Sequence, residues 1–205
     1  MEAKKAAARK RFDRWAPSYE HDRRSRFNAK PQREALAALD LQPGDLFLDV
    51  GSGTGAAVRA AAATAERAVG ADISPEMIRR AGALAAGLPR AEFVVADSEE
   101  LPFPDGSFTA VLCTSSLHHY PDPQRALAEM ARVLARGGRL AVADGTRDRL
   151  AARLADRVLR RLDRSHIGLL RTDELVGLVR GAGFDEIAVR PLWDGAYVIL
   201  TARRR

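Results

Sequence analysis

A glycine-rich loop carries the residues whose types and spacing best suit chemistry. Residues 49–54 read D-V-G-S-G-T and lie between the apolar residues 46–48 and a helix-prone run at 56–65. A strand, a glycine loop and a helix in that order form a nucleotide-binding unit. Gly51 and Gly53 lack a Cβ, so the backbone can turn tightly and lie close to a ligand. The stretch therefore predicts a site for a nucleotide or nucleoside cofactor.

Asp49 helps to separate two cofactors that such a loop can hold. Gly51, Gly53 and Ala56 fit the dinucleotide pattern G-x-G-x-x-G/A, so NAD(P) is one of them. Asp49 would lie near the pyrophosphate of a dinucleotide and repel it, because both are negative. S-adenosylmethionine (SAM) carries a sulfonium and an ammonium instead, which the carboxylate attracts. The loop favours SAM, with S-adenosylhomocysteine as product, and a nucleotide-binding oxidoreductase remains the alternative.

Two more carboxylates end apolar runs. Asp72 follows the apolar residues 68–71 about twenty residues beyond the loop, the spacing at which an acid meets the ribose hydroxyls of a nucleoside. Asp97 follows a further predicted strand at 92–96. Because the carboxyl ends of parallel strands meet at one edge of a sheet, we expect both acids to lie beside the glycine loop.

Histidines are the candidates for moving a proton, since histidine titrates near neutral pH. His118 and His119 follow the predicted fourth strand, whose carboxyl end should face the reacting centre. Adjacent side chains on an extended segment point apart, and no third ligand is nearby, so the sequence predicts no metal and an activity that survives a chelator. His21 and His166 are further candidate bases, and Asp144, which ends a strand, is a candidate acid.

Residues 46–55 resemble the first signature of class I SAM-dependent methyltransferases, in the small-molecule branch that includes quinone-biosynthesis C-methyltransferases. The resemblance extends to an A-P-x-Y segment at 16–19, a D-x-S-x-x-M segment at 72–77 and the block A-L-x-E-M-x-R-V-L-x-x-G-G-R-L at 126–140. The chain lacks the Asn/Asp-Pro-Pro-aromatic motif of DNA amino-methyltransferases. Its lone cysteine, Cys113, argues against arsenic methylation.

The resemblance implies roles for individual residues. Tyr19 is expected over the bound SAM, and Asp97, with the Ser98 backbone beside it, at the adenine amino group. Ile73 and Met77 are expected around the adenosine, although Met77 also suits the core. The expected cofactor-binding set is Tyr19, Asp49, Gly51, Gly53, Thr54, Asp72, Ile73, Met77, Asp97, Ser98 and Thr114.

The order of predicted elements gives an α/β fold. Seven strands alternate with helices and end in a hairpin, which predicts a Rossmann-like, mostly parallel sheet with helices on both faces. The resemblance implies the strand order 3-2-1-4-5-7-6 with the last strand antiparallel. Pro31 is expected to begin the second helix. Residues 148–162 are expected to form an amphipathic helix with one apolar face made of Leu150, Leu154, Val158 and Leu162.

Residues 1–205 are expected to form a single methyltransferase domain. Its expected parts are an N-terminal helical cover (1–40), a SAM-binding core (41–145), a substrate-covering insertion (146–171), and a C-terminal helix with a strand hairpin (172–205). His166, in the insertion, resembles a histidine common before the last helix of the family and is expected to reach the pocket.

Composition sets the broad class of protein. Of the 205 residues, 46% are hydrophobic and 29% charged, as in soluble globular proteins. No run approaches the ~18 apolar residues of a membrane span, and the N-terminal residues lack the apolar core of a signal peptide. One cysteine excludes an internal disulfide framework. The expected location is the cytoplasm.

Positive charge is concentrated near the N-terminus. The net charge is +6, and residues 1–33 hold eleven Lys and Arg against four Asp and Glu. Such a segment attracts an anionic acceptor or an anionic membrane surface, and a merely solvated face is the alternative. No nucleic-acid partner is expected.

The predicted function is SAM-dependent methyl transfer to a small-molecule acceptor. The basic N-terminal segment and the helix at 148–162 are expected to cover the pocket. A non-enzymatic SAM-binding scaffold is the alternative besides the oxidoreductase, since cofactor residues survive in such proteins without an acceptor site. No motif in the sequence identifies the acceptor.

Overall fold

The structure, a computed structural model, describes residues 1–163 and 165–205. Its centre is a seven-stranded sheet with the strand order β3-β2-β1-β4-β5-β7-β6. All pairs among the five strands β1 to β5 are parallel, whereas β7 runs antiparallel to both of its neighbours, β5 and β6. The expected order and the antiparallel last strand are confirmed. The strands are β1 Leu46–Val50, β2 Arg67–Asp72, β3 Ala91–Val95, β4 Phe108–Thr114, β5 Leu134–Gly145, β6 Phe184–Leu192 and β7 Tyr197–Arg204.

Helices cover both faces of the sheet, as predicted. Side chains alternate along the strands, so Phe47 and Leu112 face one side while Leu48 and Val111 face the other. Helices α2 and α3 pack on the first side, and α5 and α7 on the second. None of the described helices is long and apolar enough to cross a membrane. The helices are α1 Glu2–Trp15, α2 Arg23–Ala38, α3 Ala56–Ala61, α4 Pro75–Leu84, α5 Pro123–Val133, α6 Leu150–Leu162 and α7 Thr172–Gly181.

The second helix begins earlier than the sequence predicts. It starts at Arg23, and Pro31 lies inside it rather than at its first turn. The missing proline N–H removes one helical hydrogen bond. Buried Ala35 and Leu39, which follow Pro31, anchor this segment on the sheet, so tertiary packing offsets that cost.

The apolar face expected on the helix at 148–162 does not pack inward. Leu150, Leu154 and Leu162 of α6 are 71%, 55% and 79% exposed. Asp156 is the buried residue of this helix, because its carboxylate accepts hydrogen bonds from the imidazole of His166 and the backbone N–H of Leu169. The side of α6 that carries Asp156 therefore faces the protein, and the arginines of the helix stay exposed. Residue 164, within the insertion expected at 146–171, lies outside the described residues.

Candidate active site

Most of the predicted cofactor residues line one cavity at the carboxyl ends of the parallel strands. Nine of the eleven do so, and they come from the loops after β1, β2, β3 and β4 and from the segment after α1. This is the edge at which open α/β sheets bind their ligands. The nine are Tyr19, Gly51, Gly53, Asp72, Ile73, Met77, Asp97, Ser98 and Thr114.

The loop after β1 requires glycine at Gly51. This residue has a φ of 78°, and a Cβ there would lie 2.6 Å from the Cβ of Ser116 and 2.7 Å from the hydroxyl of Tyr120. The N–H of Gly51 donates to the carbonyl of Ala71 at 2.8 Å, which ties the loop to β2. A side chain at this position would therefore displace the loop from the cavity wall.

Asp72 joins the glycine loop to the start of α4. Its two carboxylate oxygens accept the backbone N–H groups of Gly53 and Ser74, both at 2.9 Å. Burial raises the pKa of the Asp72 carboxyl to about 6, against the effect of these two donors. A carboxylate has about four acceptor sites, so Asp72 can accept a further donor, such as a ribose hydroxyl.

Asp49 is a buried carboxylate without a hydrogen-bond partner among the described residues. Burial, and secondarily the charge of Asp72, raise its pKa to about 8. Burial followed by the charges of Asp72 and Asp49 also raises the pKa of Tyr19, which lines the cavity. A cation in the cavity would favour the ionised forms of Asp49 and Asp72, which burial disfavours. The sulfonium and ammonium of SAM would supply that charge, whereas the pyrophosphate of a dinucleotide would oppose it.

Two predicted cofactor residues do not line this cavity. Asp49 is not part of its wall, so its influence on a ligand there is electrostatic. Thr54 lines a neighbouring cavity and donates its hydroxyl to Glu20 at 2.6 Å, which fixes the segment after α1 to the loop.

Helix α1 closes the end of the cavity at Asp97 with a residue that sequence reasoning missed. The ammonium of Lys5 lies 2.6 Å from Asp97 and 2.7 Å from Glu99. Lys5 is one of several basic residues along α1, and nothing in the sequence distinguishes it from its neighbours. The contact brings the N-terminal segment onto the carboxylate predicted to hold the adenine.

A second cavity, of about 480 Å³, adjoins the first. The two share the side chains of Phe12, Tyr19, Ser115 and His119. Six aromatic residues contribute to the wall of the second cavity, namely Phe12, Trp15, Tyr19, Phe27, Trp193 and Tyr197. We call it the aromatic cavity. Its mixture of flat apolar surface and a few polar groups is typical of small-molecule sites.

The structure corrects the prediction that the adjacent histidines point apart. His118 and His119 lie in a tight 3₁₀ turn, not on an extended segment, and their ring centres are 4.1 Å apart. His166 joins them, with ring centres 5.3 Å from His118 and 6.1 Å from His119. The N–H of Ile167 donates to the carbonyl of His118 at 2.9 Å and holds the segment after α6 in place. A third imidazole is therefore nearby, also contrary to expectation.

Each of these three rings has one nitrogen in a short hydrogen bond. Nδ1 of His118 lies 2.6 Å from Asp144, Nδ1 of His119 lies 2.7 Å from the carbonyl of Ser165, and Nε2 of His166 lies 2.7 Å from Asp156. Asp144, a candidate acid in the sequence, is thus a partner of His118. Asp156 was missed, although it is the one acid in the otherwise basic helix α6.

Burial affects the protonation of two of these rings. It lowers the pKa of His119 well below its ordinary value, with the neighbouring His118 as the next cause. It also lowers the pKa of His166, against the opposing effect of Asp156. The remaining candidate, His21, is exposed in the turn Tyr19–His21 and does not belong to the cluster.

Comparison with known proteins identifies the core of this arrangement. Residues 48–142 match a family described as a methyltransferase domain. The chain carries a class I methyltransferase domain. It is 37% identical over 172 residues to the 27-O-demethylrifamycin SV methyltransferase of Amycolatopsis mediterranei, across 77% of this chain and 63% of that one. It is 40% identical over 101 residues to the demethylmenaquinone methyltransferase of Clavibacter sepedonicus, across 49% of this chain and 41% of the relative.

Solved structures share the fold of this methyltransferase domain. The YcgJ protein of Bacillus subtilis superposes with a TM-score of 0.77 at 19% identity, over 86% of this chain and 99% of that one. A phosphoethanolamine N-methyltransferase of Haemonchus contortus in complex with SAM superposes with a TM-score of 0.73 at 17% identity, over 85% of this chain and 52% of that one. The chain spans less than two thirds of the two sequence relatives.

Proposed function

We propose that this methyltransferase domain binds SAM in the first cavity and methylates a hydroxyl of a planar small molecule held in the aromatic cavity. One observation carries the proposal: the two cavities meet at a shared wall formed by Phe12, Tyr19, Ser115 and His119. A donor in one cavity and an acceptor in the other would approach each other at this wall.

The cofactor part of the proposal rests on chemical fit. SAM supplies an electrophilic methyl group on a sulfonium. Asp72 would accept the ribose hydroxyls and Asp97 the adenine amino group, and the positive charge of the ligand would favour the ionised form of buried Asp49. The match to a methyltransferase domain and the fold shared with a SAM complex support the same cofactor.

The acceptor part rests on the shape and polarity of the aromatic cavity. The rings of Phe27 and Trp193 lie 4.2 Å apart, and those of Trp193 and Tyr197 5.5 Å apart, so they form a continuous apolar wall. Flat aromatic molecules pack well on such walls. The polar groups include the three clustered histidines, where a hydroxyl can lose its proton. The name of one relative, a 27-O-demethylrifamycin SV methyltransferase, supports an oxygen acceptor. The name of the other, a demethylmenaquinone methyltransferase, supports only a quinone-like ring.

The reaction is a displacement in which the acceptor oxygen forms a bond to the methyl carbon while the bond from carbon to sulfur breaks. S-adenosylhomocysteine leaves, and the hydroxyl proton is released. The residues at the shared wall would align oxygen, carbon and sulfur and exclude water. Alignment of this kind supplies ~7–11 kcal/mol in favourable systems.

The test is incubation of the protein with methyl-labelled SAM and a panel of planar hydroxylated compounds, including hydroquinones and naphthols. Mass spectrometry should find the label on an acceptor oxygen. Trp193→Ala should raise the acceptor KM about tenfold or more and leave the SAM Kd unchanged, because Trp193 lines only the aromatic cavity. Leu88→Ala, an exposed apolar residue outside both cavities, is the matched control.

Three results would contradict the proposal. SAM binding without methyl transfer to any acceptor of the panel or of a metabolite extract would support a binding scaffold. Binding of NADPH in place of SAM would support an oxidoreductase. Label on a carbon or nitrogen atom of the acceptor would show that the methylated group is not a hydroxyl.

A further inference from the structure

We propose that His118, His119 and His166 form a binding site for one divalent transition-metal ion of the zinc type, with a free coordination position toward the aromatic cavity. One ring nitrogen from each residue lies within 4.8 Å of one from each of the others. All three residues line the aromatic cavity. Three neutral imidazoles with an open fourth position are a ligand set of catalytic zinc sites.

The spacing of the rings fits one ion. Zinc-to-nitrogen distances of 2.0–2.1 Å at tetrahedral angles place imidazole centres about 5 Å apart and the bound nitrogens about 3.3 Å apart. The three ring centres here are separated by 4.1, 5.3 and 6.1 Å, distances that lie on either side of the expected separation of imidazole centres. Small ring rotations would bring the nitrogens from within 4.8 Å to coordination distance.

The outer hydrogen bonds are those expected of metal ligands. A coordinating histidine generally donates its other N–H to a carboxylate or a backbone carbonyl, which fixes the ring and its tautomer. His118 has Asp144, His166 has Asp156, and His119 has the carbonyl of Ser165. Among the described residues no protein group bonds to the second nitrogen of any of these rings. Three rings thus keep one lone pair each.

A catalytic use of this ion rests on the proposed function. A hydroxyl bound at the free position would release its proton to solvent more readily, because the cation stabilises the oxyanion. That oxygen would then take the methyl group from SAM, with the electron pair of the broken carbon–sulfur bond left on the sulfur of S-adenosylhomocysteine. This use would reverse the prediction, made from the sequence, that activity survives a chelator.

Metal binding is tested first without activity. The protein is dialysed against EDTA, then titrated with Zn²⁺ by calorimetry and with Co²⁺ by visible absorption. We expect one ion per chain and the absorption bands of four-coordinate Co²⁺. His166→Asn should lower the Zn²⁺ affinity by roughly hundredfold or more, and Asp156→Asn, which keeps all three ligands, by about ten- to hundredfold. His21→Asn is the matched control and should bind as the wild type does.

Equal affinity in the wild type and in His166→Asn would overturn the site, and so would loss of binding in His21→Asn. Each variant is first melted without metal, which separates a lost ligand from a lost fold. Zn²⁺ should then raise the Tm of the wild type and of His21→Asn most, that of Asp156→Asn less, and that of His166→Asn least. Stoichiometric binding without turnover under any condition would sustain the site and refute the proposed function. Turnover unchanged by EDTA would refute only the catalytic use.

A different observation leads us to infer that α6 docks on an anionic membrane surface. Leu150, Leu154, Val158 and Leu162 recur every four residues on one side of the helix and are all more than half exposed. An exposed apolar stripe of this kind with arginines beside it is typical of helices that lie in the membrane interface.

The charge around α6 decides between lipid and a second copy of the chain. A shallow depression of about 390 Å³ is lined by five arginines and one acid, Asp156, which already binds His166. An isologous contact through this face would bring these arginines near their own copies, which is unfavourable. Arg147 already pairs with Glu174, and lipid phosphates would pair with the other four. The arginines are Arg147, Arg153, Arg157, Arg160 and Arg161.

This inference places membrane contact on α6 rather than on α1. Lys5 and Arg11 of α1 form ion pairs within the protein, with Asp97 and Asp163 respectively. Leu159, also on α6, lines the aromatic cavity. Docking through α6 would therefore bring that cavity close to the lipid surface and suit a lipophilic acceptor.

Sedimentation with vesicles of phosphatidylcholine alone and of phosphatidylcholine with phosphatidylglycerol tests the contact. We expect binding only to the anionic vesicles, weakened by salt, and at least tenfold weaker in the double variant Leu154→Ser, Leu162→Ser. Leu88→Ser with Val189→Ser, which also alters two exposed apolar residues, is the matched control. Equal binding to both vesicles, an unaffected double variant, or a dimer in ultracentrifugation that this variant dissociates would overturn the inference.

Discussion

The first cavity, at the ends of the parallel strands, and the aromatic cavity adjoin each other but are built in different ways. Turns after β1, β2, β3 and β4 form most of the first, with α1 over one side, and its groups are held by backbone hydrogen bonds such as those from Gly53 and Ser74 to Asp72. The second combines side chains of α1, α2 and α6 with the turn at His118 and the segment before β7. The first therefore depends on local backbone geometry, whereas the second depends on how distant segments pack together. Substitutions should accordingly disturb cofactor binding most where they disturb backbone.

The largest effect is expected from Gly51→Ala. The φ of 78° costs a residue with a side chain about 1–2 kcal/mol, and the new Cβ would overlap Ser116 and Tyr120. SAM binding should fall by more than about hundredfold, measured by calorimetry, and the Tm should drop. Gly44→Ala is the matched control, since nothing lies within 4 Å of its Cβ position. SAM binding by Gly51→Ala within a few fold of wild type would contradict the dependence on backbone.

A smaller but still large effect is expected from Asp72→Asn. The change removes the charge and one acceptor from a carboxylate that holds the loop and faces the cavity. Loss of a charged hydrogen bond costs about 1.5–3 kcal/mol, so SAM affinity should fall roughly ten- to hundredfold. Calorimetry with the exposed Asp185→Asn as control measures it. The acceptor cavity should be unaffected, so an altered acceptor KM at saturating SAM would break the division between the two regions.

The buried acids predict a dependence of stability on pH. The pKa of Asp49 is raised to about 8 and that of Asp72 to about 6, because burial disfavours the charged form. Folding thus favours their protonated forms. The stability they contribute is complete below the ordinary carboxyl pKa near 4 and is lost as the pH rises through about 6 and then about 8.

Asp49→Asn isolates this effect, because the amide stays neutral. Relative to the wild type, its folding equilibrium constant should rise roughly tenfold or more between pH 6 and pH 9, measured by denaturant unfolding without ligand. Asp185→Asn, at an exposed position, should keep a constant difference from wild type. A constant difference for Asp49→Asn as well would show that its carboxylate is not strained by burial.

The smallest effect is expected at Lys5, where α1 covers the first cavity. Its ammonium joins α1 to Asp97 and Glu99. The side chain of Lys5 is 13% exposed and that of Glu99 0%, so Lys5→Ala should lower the Tm by leaving the Glu99 carboxylate unpaired. The SAM Kd should change only about two- to fivefold, because Asp97 keeps its carboxylate. Stopped-flow binding should show faster association and faster dissociation, because the cover opens more easily. Lys4→Ala, on the exposed side of α1, should leave both rate constants unchanged. Unchanged rate constants in Lys5→Ala would show that α1 does not gate the cofactor.

The sequence by itself determined the sheet and brought most of the predicted cofactor residues to one cavity. Apolar runs ending in Asp72 and in Asp97, with glycines after β1, are local patterns, and a parallel sheet brings strand ends together. The resemblance to class I methyltransferases supplied the strand order, which composition and periodicity alone do not contain. Helix bounds were predicted less well: α2 includes Pro31, because packing of the following turns outweighs one missing hydrogen bond.

Only the tertiary structure decided which side chains meet in the aromatic cavity. The sequence pattern predicted that the side chains of His118 and His119 point in opposite directions, but a 3₁₀ turn brings them together. A segment nearly fifty residues further along the chain adds His166. The same packing buries Asp156 and exposes the apolar side of α6, opposite to what amphipathic periodicity indicates. Periodicity shows that a helix has two faces. Which face turns inward depends on the partners available there, and for α6 a buried imidazole is the partner that a carboxylate can reach.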